Sequence, residues 1–124
     1  MARYLEAVPG KTASVLDTDL RKAPGLVFDL SVASPFLGAD PSRAEAGPLT
    51  EAIFRAMREA NVAVGIGRYD EARGIYLSPL FGVGERPTDE RRTVHLGIDL
   101  FVEPGSAVHA PLAGTVHTLA NNAS

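Results

Sequence analysis

His95 and Asp99 are the residues whose types and spacing point most directly to chemistry. They lie in the run Val94-His95-Leu96-Gly97-Ile98-Asp99-Leu100. Both are zinc-ligand types, one through a ring nitrogen and the other through a carboxylate oxygen. Their spacing is i, i+4. On a helix that spacing puts both on one face, but Gly97 and the β-branched neighbours argue against a helix. On a straight strand they also share a face, yet stand roughly 13 Å apart at about 3.3 Å per residue. Two metal–ligand bonds of about 2 Å each do not span that gap. One shared ion therefore requires the strand to break, and Gly97 is where a bulge or tight turn would break it. The same residues have a plainer reading, as a strand histidine with ordinary hydrogen bonds and an aspartate engaged in turn chemistry. Spacing alone leaves both open.

A longer context surrounds the pair. The run His95-Leu-Gly-Ile-Asp-Leu-Phe-Val-Glu-Pro-Gly-Ser-Ala-Val-His-Ala-Pro-Leu-Ala-Gly-Thr-Val116 resembles the first half of the catalytic core of lysostaphin/LytM-type zinc metallopeptidases. It has a His-x-Gly-x-Asp element, a Pro-x-Gly-like turn, a Val-x-Ala-Pro strand and a Gly-x-Val strand, in that order. The resemblance implies zinc as cofactor, with His95 and Asp99 as ligands. It also implies a small antiparallel β-sheet with loops around a metal groove, and a peptide substrate of the bacterial cell-wall cross-bridge type. The chain departs from the pattern in lacking the later His-x-His element, which supplies a further ligand and a catalytic histidine. Its other histidines, His109 and His117, match no catalytic position and are expected to be partly exposed strand residues. The expectation is a truncated zinc metallopeptidase-like domain, inactive alone, with no catalytic residue of its own and an unknown substrate-binding set.

A second stretch, Gly65-Ile-Gly-Arg-Tyr-Asp-Glu-Ala-Arg-Gly-Ile-Tyr76, followed by Glu90 to Asp99, resembles the middle segment of large fusion proteins. In those, a lysostaphin-type domain lies between a kinase-like phosphotransferase domain and a class III aminotransferase domain. The resemblance implies neighbouring domains of a larger chain as partners and a cytoplasmic rather than secreted setting. The alternative to an enzyme piece is a non-catalytic structural or interaction domain that spaces or docks those neighbours. A metal-free sugar- or peptide-binding module is a third reading.

The elements that must position these residues read as mainly β with one or two helices, an α+β class. Leu26 to Val32 alternates like a strand. Residues 34–47 hold Pro35, Gly38, Pro41 and Gly47 and read as a loop. The spacing of Ile53, Phe54, Met57 and Ala60 predicts a helix over 49–60, with Thr50 as N-cap and Arg55, Arg58 and Glu59 on the outer side. Val62, Val64 and Ile66 alternate with small residues, a strand signal. Further strand candidates are 74–77, 93–95, 99–102, 107–110 and 115–119, with a turn at Pro104-Gly105 and a turn or short helix over 17–22. Tyr69, Tyr76 and Phe81 are expected in or near the core. The charged segment 82–92, including Arg91 and Arg92, reads as a solvated connector. It divides an N-terminal α+β segment, 1–90, from the peptidase-like β core, 91–124.

Composition bounds the rest. The chain has 124 residues, 45% hydrophobic and 22% charged, with a net charge of -3, the profile of one folded domain. Nucleic acid is not expected as a partner, because no basic cluster beyond Arg91-Arg92 offsets the acidic balance. A membrane is not expected either, since no apolar run reaches the roughly 18 residues of a spanning helix. The absence of cysteine excludes disulfides, thiolate metal sites and cysteine nucleophiles. If the family's sheet continues past residue 119, an unpaired edge is left, and a homodimer through that edge is expected.

Overall fold

The computed structural model describes residues 12–73 and 94–121. The described part is a small α/β assembly of one α-helix and five short strands in two small sheets. It divides into two compact units: Pro24–Pro104, and the residues up to Ala23 together with those from Gly105 onward.

In the first of these, β1 (Gly25–Phe28) follows Pro24 and ends at Asp29, whose carboxylate accepts the Ser31 N–H at 3.0 Å and turns the chain. A loop and a short 3-10 helix (Pro41–Ala44) lead to α1 (Ala46–Glu59). The helix begins a turn earlier than its apolar stripe predicts. Glu45 is the N-cap with no side-chain hydrogen bond, and Thr50 lies inside. Pro48 is accommodated because first-turn N–H groups have no intrahelical partner. The far end is closed at Asn61, at φ 52°, with hydrogen bonds from Asn61 N to Arg58 O (3.1 Å) and from Val62 N to Met57 O (3.0 Å). This is the paired C-terminal capping pattern in which asparagine can replace glycine.

Strand β2 (Val64–Gly67) then pairs parallel with β1, Gly25 opposite Val64 through Phe28 opposite Gly67. On its other side β5 (Asp99–Phe101) pairs antiparallel, with Gly65 opposite Phe101 and Gly67 opposite Asp99. The sheet is therefore mixed, not the antiparallel one expected. A parallel pair needs a crossover, and α1 supplies it. Two-residue strands β3 (Glu71–Ala72) and β4 (Val94–His95) form a separate antiparallel ladder with Glu71 opposite His95.

The core is Phe28, Leu30, Leu37, Ile53 and Met57, with Leu26, Phe36, Leu49, Phe54 and Phe101 packed around it. Phe28 sits at the centre, tilted against Phe36 at 5.1 Å and edge-on to Phe101 at 6.0 Å. Met57 and Ile53 face inward while Arg55, Arg58 and Glu59 are exposed, as the stripe predicts. Ala60 is exposed as well. Gly65 lets these layers close: a Cβ there would lie 2.7 Å from a Phe28 ring carbon and 3.0 Å from Met57 Sδ.

In the other unit, Leu16 bridges Val108 antiparallel, with hydrogen bonds from Ala13 N to Pro111 O and from His109 N to Val15 O, both 2.8 Å. The candidate strand at 107–110 is reduced to that bridge, and 115–119 forms no strand. Val116 and Leu119 stay exposed, since β-propensity yields a strand only where a neighbour pairs with it. Pro104-Gly105 turns as expected, with Gly105 at φ 86°. Candidates at 74–77 and 82–92, with Tyr76, Phe81, Arg91 and Arg92, lie outside the described residues. Tyr69 is 63% exposed rather than core. Among the described residues no helix is long and apolar enough to cross a membrane.

Candidate functional site

His95 ends β4 and Asp99 begins β5, strands that belong to different sheets. The three residues between them lie in neither strand, and the chain bends at Gly97. That bend removes the separation a straight strand would impose. His95 Nε2 lies 3.3 Å from Asp99 Oδ1, with the side chains 20% and 32% exposed. A Cβ on Gly97 would crowd His95 Nε2 at 3.1 Å.

Asp99 is held from its other oxygen. Arg73 follows β3 and is buried; its Nη1 donates to Asp99 Oδ2 at 2.6 Å and its Nε to Glu71 Oε1 at 3.0 Å. Glu71 is buried too, and its Oε2 accepts from Leu30 N (3.1 Å) and Arg68 Nε (2.8 Å). Arg68 Nη2 reaches Asp29 Oδ1 at 2.5 Å. The result is a ladder of alternating sign, Asp29–Arg68–Glu71–Arg73–Asp99, running from the end of β1 to the start of β5.

The electrostatics follow from those contacts. The Ser31 hydroxyl and N–H hold the Asp29 carboxyl below its usual range, outweighing the opposing effect of burial, and Arg68 adds to them. The hydrogen bond to Glu71, reinforced by Asp29, raises Arg68. Burial works against the Arg73 charge, but its bonds to Asp99 and Glu71 outweigh burial and raise it.

Two ligands on one tetrahedral ion, at bonds of about 2 Å, stand about 3.3 Å apart, so His95 Nε2 and Asp99 Oδ1 have the separation of one edge of such a site. Among the described residues no group of three or more His, Asp or Glu side chains is placed to hold a metal. His109 belongs to the other unit, its Nε2 2.6 Å from Asp17 Oδ1, and His117 is exposed in irregular chain.

Arg73, Glu71, Arg68 and Asp29 were not singled out by the sequence reading. A signal was available: Glu71 and Arg73 alternate in sign at the strand period of two, and Arg68 lies three residues before Glu71. Their joining to Asp29 and Asp99 depends on contacts 39 and 26 residues apart, which local pattern does not carry.

No protein-family model matches the chain, and neither a curated protein nor a solved structure matches it significantly.

Proposed function

We propose that His95 and Asp99 are two ligands of a zinc centre of the lysostaphin type, and that the chain contributes this part of a peptide-hydrolysing site. The observation that carries the proposal is the 3.3 Å separation of His95 Nε2 and Asp99 Oδ1 across the Gly97 bend. Zinc, when bound, would polarise a scissile carbonyl and lower the pKa of a bound water. The imidazole would supply a neutral nitrogen donor and Asp99 an anionic oxygen donor. Catalytic zinc takes three protein ligands and an open position. A third ligand and a general base must therefore come from outside the group described, and two ligands alone do not run the reaction. A peptide substrate of the bacterial cell-wall type follows from the sequence resemblance.

A second reading has its own observation. Arg73 already neutralises Asp99 at 2.6 Å, as in a purely structural ion pair, and this favours a non-catalytic domain that spaces or docks neighbouring domains. Calorimetric titration of the chain with zinc separates the two. The zinc reading expects one-to-one binding that is lost in His95→Ala and Asp99→Ala. Binding heat no greater than buffer, or binding indifferent to both substitutions, leaves the structural reading.

A further inference from the structure

Asp99 begins an outer strand of the described sheet and is a third exposed. Burial alone does not fix the rotation of such a carboxylate, since the terminal torsion of an aspartate is broad. Something else must decide which oxygen faces the ring of His95.

We infer that Arg73 is the positioning residue of this site: by binding Oδ2 of Asp99 it aims Oδ1 at His95. The ion in this inference rests on the zinc reading, whereas the aim of the carboxylate rests on geometry alone. Arg73 suits the task because it is itself immobilised. Its side chain is 4% exposed, and its planar fork is engaged on two sides, Nε with Glu71 and Nη1 with Asp99. Glu71 in turn is pinned by the Leu30 backbone N–H and by Arg68. The ladder thus transmits the rigidity of the core, through Leu30, to one oxygen at the rim.

Gly67 makes room for the arrangement. It lies opposite Asp99 on β2, and a Cβ there would fall 2.9 Å from Arg73 Nη2 and 3.0 Å from Asp99 Oδ2. Among the described residues Arg73 Nη2 is buried without a hydrogen-bond partner, and the close approach of Gly67 helps set where the end of the fork lies.

The consequence is selectivity. With Oδ2 committed to Arg73, Asp99 offers a cation one oxygen. Single-oxygen ligation beside an imidazole suits four-coordinate zinc, and it disfavours calcium, which collects six to eight oxygens and often takes carboxylates through both. The ladder's formal charges, three carboxylates against two guanidinium groups, sum to -1, so a cation at the Asp99 end is not repelled overall.

The test uses the full chain in four forms: wild type, Arg73→Met, Arg73→Lys and Asp99→Ala. In the metal-free protein the ring-nitrogen NMR shifts of His95 report the facing carboxylate. They are expected to move in Asp99→Ala, to move the same way in folded Arg73→Met, and to lie part-way in Arg73→Lys. Zinc titration is expected to weaken about 10–100-fold in Arg73→Met, the usual effect of removing a group that orients a ligand, with partial recovery in Arg73→Lys. Ring shifts that stay at wild-type values in both Arg73 variants overturn the inference. Where Arg73→Met does not fold, Arg73→Lys decides by the same shifts. Absence of zinc binding in the wild type would instead overturn the zinc reading, and the ring shifts would still decide the role of Arg73.

Discussion

Glu71 is a buried carboxylate surrounded by three donors, the Leu30 N–H, Arg68 Nε and Arg73 Nε. A buried ion pair is weak evidence of net stabilisation, because desolvation offsets most of the attraction. Removing one partner is different, since it strands the other. Glu71→Ala leaves Arg73 buried with Asp99 as its only anionic partner among the described residues, and leaves the Leu30 N–H without the Glu71 acceptor. We expect a loss of about 3–5 kcal/mol in urea unfolding. Glu71→Gln, which keeps the volume and an acceptor oxygen, should lose less. A Glu71→Ala chain within about 1 kcal/mol of wild type would mean the ladder carries little of the fold. Gly67 gives a second check at this scale. Gly67→Ala adds a methyl where Arg73 and Asp99 already crowd, and a cost of about 1–3 kcal/mol is expected.

Two glycines test the elements. A Cβ on Gly65 of β2 would lie 2.7 Å from a Phe28 ring carbon, closer than side chains pack, and 3.0 Å from Met57 Sδ, whereas Gly47 in the first turn of α1 has nothing within 4 Å among the described residues. Gly65→Ala should therefore destabilise by about 1–3 kcal/mol through overpacking. Gly47→Ala should stabilise by a few tenths to about 1 kcal/mol by restricting the unfolded chain. Thermal melts of the pair read both signs, and equal shifts would refute the packing described for β2. The helix was legible because its stripe is made by its own neighbours. Its start was not, because Glu45 caps without a side-chain bond and residues 34–47, with their prolines and glycines, read as a loop. Parallel pairing of β1 with β2 was illegible for another reason: alternation marks a strand but not its partner or direction. The Gly97 bend was legible as a requirement of the His95–Asp99 spacing. The arginine ladder was not, because its contacts join residues far apart in the chain.

Charge sets how the whole molecule responds to acid. Asp19, Asp29 and Asp40 all have carboxyls held below their usual range. Asp19, held chiefly by the Arg21 N–H and side chain, and Asp40, held by the Ser42 hydroxyl and N–H, act within their own turns. Their protonation should loosen those turns without unfolding the chain. Asp29 also binds Arg68, 39 residues away, and so ties the end of β1 to the ladder. A carboxyl whose folded pKa is depressed binds fewer protons folded than unfolded, between the folded value and the unfolded value of about 3.9. Stability therefore rises with pH through that window, is fully present above it, and is lost as pH falls through the folded value. Urea midpoints measured from neutral pH downward should be flat until about pH 4 and then fall. Asp29→Asn cannot titrate at this position, so it should begin less stable near neutrality and show a shallower acid fall. The difference between the two chains should shrink below about pH 4. Parallel curves for wild type and Asp29→Asn across that window would mean that the Asp29–Arg68 contact does not register in the global stability of the molecule.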